Sequence, residues 1–220
     1  MVTAKNLDVE ALWALAHSER AALAEDLAGL TEAQWQHRSL CGDWTVEQVL
    51  AHLTAAASLN QRQWLRSMAA ARFRPEVHNQ RRLAQHLGAV PEETLERFRV
   101  VINSTTAPSA HTAAYLGEVV VHAQDIRRPL GLPRPPSFEA LAAVAGFFVT
   151  RDFTVPSRTY STGLQLRATD GFFTAGYGLL VTGPLLALVM SIAGRAAYLE
   201  DLDGPGAPTL RARLQRAGVQ

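Results

Sequence analysis

Glu118 and His122 are the residues of this chain whose types and spacing most directly suggest chemistry. They lie four residues apart in a stretch, 111–130, whose composition favours a helix, so both side chains should share one helix face. Tyr115 and Asp125 extend the same stripe. Such a stripe is normally apolar in a bundle helix, and buried ionisable groups need partners. The pair therefore predicts one side of a metal site, although Glu–His pairs also occur on solvated helix faces.

His52 could supply a third ligand from a second predicted helix. Thr45 is a suitable N-cap and Gln48 completes a capping box, so a helix should begin at Val46 and continue past Trp64. A lone histidine on such a helix is usually a hydrogen-bonded core residue. However, bundle helices approach within about 8–10 Å, which would let two helices present two imidazoles and one carboxylate to a single ion. Three protein ligands leave a position for water or substrate, as in catalytic zinc sites, and nickel, iron or cobalt would also suit this set.

Composition and charge argue against several classes of function. The chain has 220 residues, 21 Lys+Arg against 20 Asp+Glu, and a formal net charge of +1. The arginines are scattered and do not alternate with aromatic residues, which argues against a nucleic-acid partner. The single cysteine, Cys41, excludes an internal disulfide and is typical of a reducing compartment. The N-terminus has no signal-peptide pattern, and Gly183-Pro184 breaks the most apolar stretch, so we expect a cytoplasmic protein outside the membrane.

The first part of the chain, residues 1–132, is predicted to form a four-helix bundle. Besides the two helices already described, a first helix is expected at about Leu7–Ala28. Shorter helical pieces are expected at Gln80–Leu87 and from Pro91 onward, where proline suits the first helical position. A proline-rich linker, 131–136, then predicts a domain boundary.

Residues 133–220 are predicted to form a small α+β domain. Ser137 should cap a helix that ends near Thr150. Three short strands follow, at 164–169, 172–175 and 179–182, with Asp170-Gly171 as a hairpin turn, and we expect an antiparallel sheet. The remaining predicted elements are a helix at Leu185–Tyr198 and a final basic helical segment at Thr209–Arg216.

Two segments of the chain resemble a known family. The stretch LCGDWTVEQVLAHL, from Leu40 to Leu53, resembles C-x-G-W-T-V-x-D-V-L-A-H-L, which opens the metal-binding domain of the mycothiol-dependent maleylpyruvate isomerase family in the DinB-like superfamily. The segment that begins at Glu118 resembles that family's E-x-x-x-H-x-x-D-x-x-R element. One departure is Cys-Gly-Asp-Trp in place of Cys-x-Gly-Trp, which alters the loop but not the ligands. The resemblance implies that His52, Glu118 and His122 bind the metal, usually zinc.

The resemblance also implies a reaction. The family uses mycothiol, a small thiol of actinobacteria, so we expect either an isomerase that adds this thiol reversibly to an enone or an S-transferase, with a small-molecule substrate. Gly194-Arg195 resembles a Gly-Arg element of the family's second domain. Arg195 is therefore a catalytic candidate, because its planar fork could bind a carboxylate or enolate. The alternative is that Arg195 only caps the C-terminal end of its helix. A monomer and a homodimer are both compatible with these residues.

Other interpretations of the sequence stay open. The chain could be a non-catalytic metal-binding or stress-response protein, or a regulatory module fused to a sterol-carrier-like domain. Cys41 could be a ligand or nucleophile, but a small buried loop residue is the more common case. Asp125 could orient a metal ligand or pair with Arg128, and Tyr115 could be a general acid or a packing residue. The remaining histidines are expected at the surface or in loops, namely His17, His37, His78, His86 and His111.

Overall fold

The structure, a computed structural model, describes residues 7–218. The chain divides into two compact units. The N-terminal unit spans Val9–Arg134, and residues from Pro135 onward form nearly all of the C-terminal unit. Within the described residues, no helix has the length and apolarity needed to cross a membrane.

The N-terminal unit is helical. Within residues 9–134 its helices are α1 Val9–Leu27, α2 Glu32–Trp35, α3 Val46–Ala57, α4 Gln61–Ala70, α5 Pro75–Ala84, α6 Pro91–Val100 and α7 Thr112–Leu130. Helices α1, α3, α6 and α7 pack against one another and form the predicted four-helix bundle, which is confirmed. Its core consists of buried apolar side chains from these helices and from α2, among them Leu23, Leu27, Trp35, Val49, Leu50, Leu53, Phe98 and Ile126.

Helix α3 begins where the sequence predicts but ends earlier. The Thr45 side chain accepts from the Gln48 backbone, and the Gln48 side chain accepts from the Thr45 backbone, as a capping box requires. The predicted continuation past Trp64 is wrong because a second capping box starts a new helix. In that box the Asn60 side chain accepts from the Gln63 backbone at 3.0 Å and the Gln63 side chain accepts in return. Two short helices therefore replace one long helix.

The C-terminal unit combines helices with a small sheet. Its elements are α8 Phe138–Phe148, α9 Ser157–Ser161, β1 Leu164–Ala168, β2 Thr174–Gly176, β3 Leu179–Gly183, α10 Leu185–Ile192, a 3-10 helix Ala196–Asp201, and α11 Ala207–Arg216. Ser137 caps α8, as predicted, by accepting from the Ala140 backbone at 3.2 Å. The predicted succession of a helical bundle and a small α+β unit is confirmed.

The sheet is mixed, so the prediction of an antiparallel sheet is wrong for one strand. The order is β2-β1-β3, in which β1 and β2 are antiparallel but β1 and β3 are parallel. Two glycines, one at the end of β2 and one just before β3, explain the difference. Gly176 and Gly178 have φ values of +75° and +120°, and a Cβ on Gly178 would lie 2.1 Å from the Gly163 carbonyl oxygen. Only glycine lets the chain pass so closely over the start of β1 and join its other edge.

Helix α10 also ends before its predicted limit at Tyr198. Gly194, with φ of +88°, turns the chain, and its N–H donates to the Ser191 carbonyl at 2.9 Å. The Arg195 N–H donates to the Met190 carbonyl at 2.9 Å, which closes the last turn. Arg195 therefore lies between α10 and the 3-10 helix.

Candidate metal centre

Helices α3 and α7 bring His52, Glu118 and His122 together. His52 Nε2 lies 2.8 Å from Glu118 Oε1, and His122 Nε2 lies 3.7 Å from the same oxygen. The two imidazole rings meet edge to face with their centroids 5.0 Å apart. One donor atom from each of the three residues lies within 4.8 Å of the other two. The three residues selected from the sequence thus form one cluster.

Local structure explains this convergence. The Thr45 cap fixes where α3 begins and so places His52 in its second turn. On α7 the four-residue spacing stacks Glu118 and His122 on one face. Both histidines are 9% exposed, so water competes little for their ring nitrogens. The Trp44 ring, just before the cap, lies 5.0 Å from the His52 ring and covers it from one side.

Two further polar groups, from Asp125 and Cys41, lie beside His122. Its Nδ1 lies 2.9 Å from Oδ2 of Asp125, a carboxylate with no exposed surface. Cys41, partly buried, offers its sulfur within 4.8 Å of a His122 ring nitrogen and an Asp125 oxygen. The loop that carries Cys41 is attached to α7 because the Leu40 N–H donates to the Asp125 carbonyl at 3.0 Å.

The charge state of His122 follows from these neighbours. Burial opposes protonation, but Cys41, Asp125 and Glu118 together outweigh it and raise the pKa of His122 to about 10. These neighbours favour the protonated imidazole when no cation is nearby. Because an imidazole must be neutral to ligate a metal, a cation at this site would take the place of that proton.

The donor set fits a divalent cation. Two imidazole nitrogens and one carboxylate oxygen are ligands that zinc accepts, and three protein ligands leave a further coordination position open. The three groups converge inside a helical unit and carry more acceptor than donor capacity, which a cation would balance. Asp125 occupies Nδ1 of His122, so Nε2 is the nitrogen that faces Glu118.

Tyr115 belongs to a different contact, which the sequence did not predict. Its hydroxyl accepts from Arg20 Nη2 at 2.6 Å, and burial raises the pKa of Tyr115 to about 12. The same arginine, with no exposed surface, donates through Nη1 to three backbone carbonyls at the end of α6, those of Val101, Ile102 and Ser104. The signal in the sequence was a charged residue within the apolar stripe of α1, between Ala16 and Leu23.

Arg195 lies in the C-terminal unit and is partly buried. Its Nη1 donates to the carbonyl of Ala193, the residue that caps the C-terminal end of α10, at 2.7 Å. This contact is the one expected if Arg195 caps its helix. A role for Arg195 in substrate binding stays a prediction.

The surface prediction for the remaining histidines is wrong at His78. This residue is 4% exposed, on α5, with its ring 6.1 Å from that of Trp64. The reason is that α5 starts at Pro75, earlier than predicted, and packs along α3. Burial, followed by the charges of Arg82 and His52, lowers the pKa of His78.

The fold and the cluster define a class of protein, a helical bundle with a buried histidine–carboxylate site followed by a small α+β unit. Residues 16–107 match the family model for the mycothiol maleylpyruvate isomerase N-terminal domain. This match confirms the resemblance that the Leu40–Leu53 motif showed in the sequence. The matched segment includes His52, whereas Glu118 and His122 lie beyond it.

Solved structures extend the likeness to the C-terminal unit. A crystal structure of the mycothiol-dependent maleylpyruvate isomerase matches with a TM-score of 0.63 and 18% identity. A structure of a histidine-to-alanine mutant of that enzyme matches with a TM-score of 0.62 and 18% identity. Each match covers 94% of this chain and 97% of the other, which shows a common fold. No curated protein matches the chain.

Proposed function

We propose that this protein is a zinc-dependent enzyme that uses a low-molecular-weight thiol, mycothiol, to isomerise a small electrophile or to transfer the thiol to it. The observation that carries the proposal is the convergence of His52, Glu118 and His122 in a buried cluster. The matched family and the solved structures bear the name of a mycothiol-dependent maleylpyruvate isomerase, which supports the choice of thiol and reaction. In this proposal residues 1–132 are the metal-binding domain and 133–220 the second domain.

In the proposed mechanism the three clustered residues hold the ion. A bound divalent cation supplies the positive charge that stabilises a thiolate at neutral pH. His52 and His122 would ligate as neutral imidazoles, and Glu118 would contribute a negative charge that offsets part of the cation's own. Nickel or iron would suit the same ligands.

The chemistry then needs only reversible addition. The thiolate sulfur forms a bond to the β-carbon of an enone, and the electron pair of the carbon–carbon double bond moves to the carbonyl oxygen as an enolate. Rotation about the resulting single bond and expulsion of the thiolate give the other geometric isomer, with no net change in atoms. We propose that Arg195 binds the carboxylate or enolate of this electrophile by its planar fork.

A second candidate is a metal-binding protein without catalytic activity. Two contacts favour it. The Tyr115 hydroxyl is held by Arg20, so it is poorly suited to donate a proton to substrate, and Arg195 donates to the Ala193 carbonyl of its own unit. In both candidates we propose a cytoplasmic protein, monomeric or homodimeric, with no nucleic-acid or membrane partner.

The deciding experiment combines metal content with turnover. Purified protein should contain about one zinc per chain, and the cobalt-substituted form should gain a sulfur-to-cobalt charge-transfer band when mycothiol is added. Maleylpyruvate with mycothiol should isomerise. His52→Ala should lose metal, band and activity together, whereas His37→Ala, which alters an exposed histidine, should lose none. Metal and band without turnover of any electrophile would favour the non-catalytic candidate, and no metal in the unaltered protein would refute both.

Arg195→Lys tests the second domain separately. Lysine keeps the positive charge for the end of α10 but loses the bidentate fork. A large fall in kcat/KM with an unchanged melting temperature would support a substrate role. Unchanged turnover would assign Arg195 to capping its helix.

A further inference from the structure

Asp125 is the most deeply buried carboxylate beside the candidate metal centre. It has no exposed surface and lies three residues after His122 on α7, where it faces the same side of the helix. Its Oδ2 lies 2.9 Å from His122 Nδ1. A carboxylate in this position has no role in the proposed reaction, because its oxygen meets the ring nitrogen that points away from Glu118.

The position of Asp125 is fixed by the backbone as well. The Asp125 carbonyl accepts from the Leu40 N–H at 3.0 Å, which joins the loop before α3 to the middle of α7. That loop leads through Trp44, whose ring covers His52, into the cap of α3. Asp125 thus lies where the two ligand-bearing helices are connected.

We propose that Asp125 is a positioning residue that holds His122 with its proton on Nδ1 and its Nε2 lone pair directed at the ion. This inference rests on the proposed metal-binding function. An ionised carboxylate only accepts hydrogen bonds, so it stabilises the tautomer in which Nδ1 is the donor. Only that tautomer leaves Nε2, the nitrogen that faces Glu118, free to ligate.

Substitution of Asp125 by asparagine separates this role from simple packing. The side chain keeps its shape, but its NH2 group can donate to Nδ1 and so stabilise the tautomer with the proton on Nε2, which cannot ligate. We expect Asp125→Asn to weaken zinc binding by about 10- to 100-fold, the range found when partners of metal-bound histidines are removed. Zinc affinity would be measured by competition with a chromophoric chelator, without reference to turnover.

Two control variants narrow the interpretation. Asp26→Asn removes another largely buried carboxylate, which pairs with Arg127 on α7 but does not contact His122, so it should leave zinc affinity unchanged. Cys41→Ser alters another neighbour of His122 and shows how much of the zinc affinity depends on the sulfur rather than on Asp125. If Cys41→Ser weakened binding as much as Asp125→Asn, the positioning role could not be assigned to Asp125 alone and the proposal would fail.

A spectroscopic measurement needs no variant. Long-range proton–nitrogen correlation spectra of the zinc-loaded protein report which ring nitrogen of each histidine carries a proton. We expect His122 to show a protonated Nδ1 and a metal-bound Nε2, and this pattern should weaken or become mixed in Asp125→Asn. Zinc on Nδ1 of His122 would overturn the proposal even if Asp125→Asn failed to fold.

The outcomes also separate this inference from the proposed function. If the unaltered protein binds no zinc, the metal-binding function itself fails. If it binds zinc and Asp125→Asn binds equally well with an unchanged His122 spectrum, only the positioning role fails. A loss of affinity that also appears in Asp26→Asn would show that the buried carboxylate matters through stability, which again contradicts the positioning role.

Discussion

Two buried polar clusters on α7 differ in how their hydrogen-bonding capacity is satisfied. The arginine cluster consists of Arg20, the Tyr115 hydroxyl and the carbonyls at the end of α6. There the Arg20 guanidinium supplies the donors and the neighbouring carbonyl and hydroxyl oxygens accept, so the hydrogen bonds form within the protein. The histidine cluster consists of His52, Glu118, His122 and Asp125. It gathers two carboxylates and two imidazoles, which offer many lone pairs and few protons.

This difference is the reason why we assign the arginine cluster to the structure of the fold and propose the histidine cluster as a binding site. A cluster in which a guanidinium donates to several buried acceptors satisfies most of its own hydrogen bonds and stabilises the fold. A cluster with excess lone pairs favours a positive charge, and the pKa of His122 is raised in keeping with this because Cys41, Asp125 and Glu118 favour the imidazolium. The arginine cluster should therefore govern stability, and the histidine cluster should govern metal affinity.

The largest expected effect on stability is from Arg20→Leu. This change leaves the Tyr115 hydroxyl and several buried carbonyls without their donor, so the free energy of unfolding should fall by about 3–5 kcal/mol. Urea unfolding of the metal-free protein measures it, with exposed Arg38→Leu as the control. Zinc affinity of the folded fraction should change by no more than about 0.5 kcal/mol, as for independent sites. A parallel loss of zinc affinity would show that the two clusters act as one.

His122→Ala should produce the opposite pattern. Removal of a ligand should lower zinc affinity by more than the roughly 10- to 100-fold that an outer partner contributes. The free energy of unfolding without metal should change less than in Arg20→Leu, because the apolar core remains. Chelator competition and urea unfolding on the same preparation give both values, and exposed His37→Ala is the control. Unchanged zinc affinity would remove His122 from the site.

The sequence predicted the parts of the site that depend on local structure. The capping box at Thr45 placed the start of α3, and the spacing of Glu118 and His122 placed both on one face of α7. Local signals were enough because each helix sets its own side-chain directions. The early end of α3 was also a local signal, the Asn60 and Gln63 box, which the apolar pattern beyond it concealed.

The features that the sequence did not predict depend on contacts between distant segments. Arg20 meets its acceptors across more than 80 residues of chain, so nothing near it in the sequence identifies them. The burial of His78 depends on how α5 lies on α3. The parallel pairing of β3 depends on the crossing at Gly176 and Gly178, whereas the strand pattern alone is the same for either direction.

Tyr115→Phe tests the boundary between the two clusters. The substitution removes the acceptor for Arg20 Nη2 and should lower the free energy of unfolding by about 1–3 kcal/mol, the cost of leaving one buried group unsatisfied. Because we assign Tyr115 to the arginine cluster, zinc affinity and any thiol-dependent turnover should stay close to those of the unaltered protein. Turnover that falls while stability and zinc affinity are retained would instead identify Tyr115 as a general acid.

The smallest expected effect concerns His78. Its contribution to the free energy of unfolding should depend on pH in the opposite sense to that of His122. Burial lowers the pKa of folded His78 below 6.5, so in acid the unfolded chain binds a proton that the folded chain does not. Its contribution to stability is therefore complete above about pH 6.5 and is lost as the pH falls, by at most about 1.4 kcal/mol per pH unit for one proton. The raised pKa of His122 predicts a contribution to stability that is complete below pH 6.5 and is lost as the pH rises towards about 10.

Urea unfolding of the metal-free protein between pH 5 and 6.5 (roughly the range in which an unperturbed histidine titrates) tests the contribution of His78. The free energy of unfolding should change less with pH in His78→Gln than in the unaltered protein or in exposed His37→Gln. An equal pH dependence in all three proteins would mean that His78 has the same pKa in the folded and the unfolded chain, so that its burial does not disfavour the imidazolium.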